Sequence, residues 1–223
     1  MKQRNIKLSA SVICANGLNL EEDLLVLQQK NIDYLHLDVM DGHFVPRLGI
    51  GTYLISQFGK YKKIPLEAHL MVDNPLDYVP ELADAGVSIT TFHYEISGDV
   101  YCVVQQIRRH NMKVGIALRA YSPLQLIEPF LDMIDLVLLM AYAPGVLNQQ
   151  VFPEFEARIR DLAEMLATHG RENIDIAVDG GIDETSLGRY KARGANFFIL
   201  GTSGLFVPEV GLSGQMDRIK ALF

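Results

Sequence analysis

Histidines and aspartates stand at the ends of apolar runs in this chain, where buried strands would deliver them to one place. His36-Leu37-Asp38 closes one run, His69 a second and Asp179 a third, while Ser11 lies in the first. His36 and Asp38 are two residues apart, so on a strand both point to the same face. Two imidazoles and two carboxylates form an N/O donor set suited to a divalent transition metal such as Zn²⁺, Mn²⁺ or Fe²⁺; carboxylates alone would suit Mg²⁺ or Ca²⁺ better. Taken singly, each histidine is more often a hydrogen-bonded structural residue and each aspartate a cap or loop anchor. Their joint placement argues for a site. Opposed carboxylates also suit acid/base work on one carbon, and a metal between them would stabilise an enediolate. Glycine-rich junctions supply a second chemistry. Asp179-Gly180-Gly181 and Gly201-Thr202-Ser203-Gly204 allow close backbone approach and offer N–H donors to a phosphate.

Positioning these groups requires strands. Short apolar or β-branched runs recur at Leu8–Ile13, Tyr34–Val39, Leu66–Met71, Ser88–His93, Val114–Leu118, Leu136–Met140, Ile174–Val178 and Phe197–Leu200. Helical spacing lies between several of them, as in Leu20/Leu24/Leu27, Tyr78/Leu82/Ala85, Val100/Val103/Val104/Ile107 and Phe152/Phe155/Ile159/Leu162/Met165. Asp73-Asn74-Pro75 and Asp183 read as helix starts. Eight strand–helix units in 223 residues predict one α/β domain spanning 1–223, a closed (β/α)₈ TIM barrel. In that architecture the active site lies at the C-terminal strand ends, and the loops after the seventh and eighth strands commonly hold phosphate. An open doubly wound sheet is disfavoured, since Ser11 to Gly17 carries no G-x-G-x-x-G turn.

Composition narrows the partners. The chain is 49% apolar, which excludes disorder, and its net charge of −7 predicts no binding to nucleic acid or to an anionic membrane surface. No apolar run reaches the ~20 residues of a membrane-spanning helix. Cys14 and Cys102 form neither a CxxC pair nor a disulfide framework, and the N-terminal residues carry no signal-peptide pattern, so a cytoplasmic protein is expected.

The blocks Leu35–Pro46 (LHLDVMDGHFVP), His69-Leu70-Met71-Val72 with Asn74-Pro75, and Val178-Asp179-Gly180-Gly181-Ile182 resemble the ribulose-phosphate 3-epimerase family, whose barrels are of the ribulose-phosphate-binding type. The resemblance spans nearly the whole chain. Arg108–Gly115 and Gly201–Phe206 look closer to the allulose-6-phosphate 3-epimerases within it. The resemblance implies a carbohydrate-metabolism isomerase that inverts C3 of a ketose phosphate of the ribulose 5-phosphate/xylulose 5-phosphate type. It implies a divalent metal (Zn, Mn, Fe or Co) on His36, Asp38, His69 and Asp179, with Asp38 and Asp179 as the acid/base pair. It also implies substrate contacts from Ser11 and His69, phosphate contacts from Gly145, Val146, Leu147, Asn148, Gly180, Gly181, Gly201, Thr202 and Ser203, and self-association into a homo-oligomer. Met40, Met71 and Met140 stand where the family places sulfur side chains, although core packing accounts for them equally well.

Departures fall on the rim. Ala143-Pro144-Gly145-Val146-Leu147-Asn148-Gln149 replaces a pattern that normally carries a Gly-Gly pair, which would strain a positive φ at Leu147. Arg47 replaces a customary Asn, Gly49 a Thr, Arg119-Ala120 an Asn-Pro, and Ala10 a Pro. Arg47 could reach an anionic group, though a solvated arginine is the plainer reading. His93 is a candidate neighbour of the site, His43 a candidate for the mouth, and His110 and His169 suit helix C-termini. Two competing readings remain. Aldol or decarboxylase chemistry would need a lysine at a strand end, and none is offered. A non-catalytic barrel that binds a sugar phosphate is the alternative from another class.

Overall fold

The structure is a computed structural model that describes residues 4–61, 63–146 and 149–223. Eight parallel strands close in sequence order: β1 (Lys7–Ser11), β2 (Tyr34–Met40), β3 (Leu66–Met71), β4 (Ile89–His93), β5 (Lys113–Leu118), β6 (Leu136–Met140), β7 (Asp175–Asp179) and β8 (Phe197–Leu200). β8 pairs with β1, so no strand edge is left open. The helices are α1 (Leu20–Gln29), α2 (Thr52–Tyr61), α3 (Val79–Asp84), α4 (Val100–Arg109), α5 (Phe155–Thr168), α6 (Glu184–Arg193) and α7 (Leu212–Lys220). Among the described residues, no helix is long and apolar enough to cross a membrane.

The strands are buried on both faces because both are covered. Outward residues such as Leu35, Leu70, Val114, Val137 and Phe198 pack under the helices in the main core. Inward residues split into two sectors. Ala117, Leu138, Met140, Ala177, Phe197 and Ile199 fill one side of the barrel with hydrocarbon. His36, Glu67, His69, Thr91 and His93, all buried, fill the other side from β2, β3 and β4.

Boundaries differ from the sequence reading where the chain turns early. β1 stops at Ser11, and Val12–Cys14 forms a 3-10 turn closed by Ala15 N donating to Val12 O at 3.1 Å. This turn brings Ile13 and Cys14 to the barrel mouth. The crossover from β5 to β6 is a 3-10 helix, Leu124–Phe130, because Pro129 lies inside it and withholds a donor. Asp73 does not cap a helix; its backbone N–H donates to Asp41 Oδ2 at 2.8 Å, and Asn74 precedes a 3-10 turn without a side-chain cap. Phe152 lies before α5, its N–H on Ala141 O.

Asp183 does cap α6. It accepts from Ser186 N at 2.7 Å while Ser186 Oγ accepts from Asp183 N at 2.9 Å, a reciprocal capping box. Asp183→Ala is expected to cost about 1 kcal/mol of stability in urea unfolding, with Asp183→Asn losing much less. His110 and His169 are the C-terminal caps of α4 and α5.

Candidate active site

Register decides which polar side chains meet. His36 on β2 pairs with Glu67 on β3, and Asp38 with His69. Ser11 on β1 pairs with His36, and Met140 on β6 with Asp179 on β7. One donor atom each from His36, Asp38, His69 and Asp179 lies within 4.8 Å of the others. His36 Nε2 is 3.1 Å from Asp38 Oδ1, and His69 Nδ1 is 3.6 Å from Asp38 Oδ1 and 3.9 Å from Asp179 Oδ2.

The nitrogens facing away from this cluster are engaged. His36 Nδ1 is hydrogen-bonded to the Glu67 carboxylate, which also accepts from Thr91 Oγ1 at 3.3 Å. His69 Nε2 meets His93 Nε2 at 3.0 Å. His69 Nδ1 is buried with no hydrogen-bond partner. An orphaned buried imidazole nitrogen aimed at two carboxylates is a costly arrangement for a bare protein and a fitting one for a cation. These residues fit a divalent metal.

Charge states follow from the same contacts. Burial works against ionised Asp38, yet His36 and His69 beside it hold its carboxyl well below the usual carboxylate range. Burial pushes Asp179 up to about 6, with the neighbouring Asp38 charge adding to the rise and His36 opposing it. Burial also opposes the His36 imidazolium, but Glu67 and Asp38 prevail and raise its pKa well above the ordinary value. Burial lowers His93 to about 4. Environments that drive two nearby carboxyls apart in this way are those that assign one the base and the other the acid. Ser11 Oγ donates to Asp38 Oδ2 at 2.7 Å and so orients it.

Above the cluster opens a cavity of about 340 Å³. Asp38 and Asp179 lie in its floor, and Met40, Met71 and Met140 line it. Ser11, Gly145, Val146, Gly180, Gly181, Gly201, Thr202 and Ser203 also line it. Leu147 and Asn148 lie outside the described residues. Gly180 has φ +110° and Gly181 φ +62°, conformations that a side chain would strain, and a Cβ at 180 would fall 2.9 Å from Tyr142 Cε1. No described residue of β4 or β5 reaches the lining, because a roof covers that half. Phe44 and Val45, from the loop after β2, pack on Met40 and Met71. The Arg119 guanidinium lies 4.5 Å from the Phe44 ring centroid, and a Cβ on Gly145 would fall 2.6 Å from Val45 Cβ.

Several of these residues were missed from the sequence. Cys14, Tyr142, Pro144 and Ile182 line the cavity, Glu67 lies behind His36 with Thr91 hydrogen-bonded to it, and Glu95 is hydrogen-bonded to His93. The signal for Glu67 was present as Glu67-x-His69, the same spacing as His36-x-Asp38. Arg47 is exposed and lines the cavity; it is the one cationic side chain among its described lining residues. Gly49 has a reason of its own, since a Cβ there would fall 2.3 Å from Asp38 O, where the loop returns along β2. His43 is exposed and turned onto Asp41, away from the cavity.

The family described as Ribulose-phosphate 3 epimerase family matches residues 7–206. Ribulose-phosphate 3-epimerase of Bacillus subtilis is 32% identical over 217 residues, covering 97% of this chain and 96% of its own. The cytoplasmic isoform of ribulose-phosphate 3-epimerase from Oryza sativa is 35% identical over 209 residues, covering 92% and 90%. Among solved structures, KGPDC from Streptococcus mutans superposes with a TM-score of 0.74 at 14% identity, covering 97% of this chain and 96% of its own. At that identity the likeness concerns the barrel fold alone.

Proposed function

Since the chain belongs to the ribulose-phosphate 3-epimerase family, we propose that it is an isomerase that inverts C3 of a ketose phosphate, interconverting ribulose 5-phosphate and xylulose 5-phosphate. The observation that carries this reading is the convergence of Asp38 and Asp179, from β2 and β7, on the floor of one cavity beside His36 and His69. One carboxylate removes the C3 proton, and the electron pair left behind delocalises into the adjacent carbonyl to give an enediolate. The other carboxyl returns a proton to the opposite face, which inverts the centre.

His36 and His69 with Asp38 and Asp179 would hold a divalent cation (Zn, Mn, Fe or Co). Such an ion supplies Lewis acidity to substrate oxygens. Ser11 keeps Asp38 oriented. Gly145, Val146, Gly180, Gly181, Gly201, Thr202 and Ser203 line the cavity; backbone donors from them would meet the phosphate, which would let an acidic chain hold an acidic ligand without a basic patch. The three methionines give the cavity an apolar wall. Free Cys14 and Cys102, and the name of the rice relative, support a cytoplasmic place; exposed Leu48, Tyr53 and Tyr121 support self-association of the single barrel domain.

Incubation in D₂O with divalent metal tests the reading. Ribulose 5-phosphate is expected to exchange its C3 hydrogen and to yield xylulose 5-phosphate. Allulose 6-phosphate, favoured by the Gly201–Phe206 block, is the competing substrate in the same assay. Absence of exchange with either, and with shorter ketose phosphates, would overturn the proposal in favour of a binding-only barrel.

A further inference from the structure

Behind His69 runs a polar chain that the chemistry above leaves unused. His69 Nε2 is 3.0 Å from His93 Nε2, and His93 Nδ1 is 3.1 Å from Glu95 Oε2. Both rings are completely buried, so no solvent competes for their protons. Glu95 is fixed from its other side. Its Oε1 accepts from Arg119 N at 2.9 Å and from the Ser122 hydroxyl, and the Arg158 guanidinium donates to the carbonyls of Arg119 and Ser122. β4 and the turn after β5, which give nothing to the cavity wall, thus build this support.

The contacts allow one pattern of protons. Burial lowers His93 to about 4 and keeps it neutral with one proton, and a carboxylate only accepts, so that proton sits on Nδ1. His93 Nε2 is then the acceptor, and His69 must donate from Nε2. That leaves a lone pair on His69 Nδ1, the atom that faces Asp38 and Asp179 and has no other partner. The opposite tautomer would aim a proton where a cation belongs. The donors around Glu95 keep it ionised and lower its pKa to about 2, despite the opposing effect of burial.

We propose that Glu95, acting through His93, is a positioning residue that sets the His69 tautomer and thereby the divalent-metal affinity of the site. The inference rests on the metal-site reading above. Glu67 supports His36 directly, whereas the Glu95 effect passes through an intervening imidazole, so two separate elements orient the two nitrogen donors.

Chelator-stripped protein titrated with Co²⁺ alone, followed by its visible spectrum and by competition with a chelator, tests this. Glu95→Ala and His93→Phe are expected to weaken Co²⁺ binding about 10- to 100-fold. His93→Gln, whose amide oxygen can accept from His69 Nε2, is expected to recover much of the loss. Nitrogen NMR of the metal-free parent is expected to find His69 protonated on Nε2. The proposal is overturned if the folded variants bind Co²⁺ within twofold of the parent, if His93→Gln binds no better than His93→Phe, or if His69 carries its proton on Nδ1. Should Glu95→Ala not fold, the His93 pair and the NMR decide. A parent that binds no Co²⁺ would instead bring down the metal-site reading itself.

Discussion

Asp179→Asn is expected to lower epimerisation by about 10²- to 10⁴-fold while the barrel stays folded, the range that loss of a positioned acid or base produces. Asparagine has nearly the shape of aspartate and Asp179 is only partly exposed, so the surrounding packing should persist. The informative measurement is hydrogen exchange from each epimer separately. With one carboxyl on each face of C3, the epimer whose proton faces position 179 should lose exchange, while the other still exchanges through Asp38. Asp38→Asn should reverse the pattern. A single base serving both faces would make each variant lose both exchanges equally. Metal content measured beside the rates separates a lost ligand from a lost base. Turnover by metal-replete Asp179→Asn within tenfold of the parent would remove Asp179 from the chemistry.

How legible this site was depended on whether its signal lay within one strand. His36-x-Asp38 could be read because strand geometry fixes which neighbours share a face, and the eight short, largely apolar runs carried the barrel because parallel strands covered on both sides are buried along nearly their whole length. Glu67 and Glu95 were not read. The Glu67-x-His69 spacing puts both side chains on one face, but only pairing names the partner of the glutamate, as β2–β3 register does for His36 and Glu67. The roof was hidden for a related reason: Phe44 and Arg119 meet across a sequence separation of 75 residues, with no local pattern joining them. The 3-10 crossover had its signal in plain view, since Pro129 forbids a regular helix there. Asp73 misled because a capping residue before a proline is only a preference, and a backbone contact to Asp41 claimed that segment instead.

Glu67 yields the second large effect, and the sign follows from what its removal leaves behind. Its side chain is 1% exposed, and its carboxylate serves both His36 Nδ1 and Thr91 Oγ1. Replacing both partners of a buried pair with hydrocarbon can be neutral, whereas removing one strands the other. Glu67→Leu should therefore destabilise the metal-free protein by about 3–5 kcal/mol, or about 6–20 °C in Tm for a chain of this size. Glu67→Gln keeps an acceptor for His36 Nδ1 and should recover a substantial part. Urea unfolding in chelator measures this without metal linkage. The same Leu variant should also bind metal more weakly, because the His36 ring loses the contact that holds Nε2 toward Asp38. A Glu67→Leu protein within about 1 kcal/mol of the parent would mean that His36 is held by packing alone. The buried acid on β3 would then have no structural task, and the polar half of the barrel would owe its order to the hydrocarbon half.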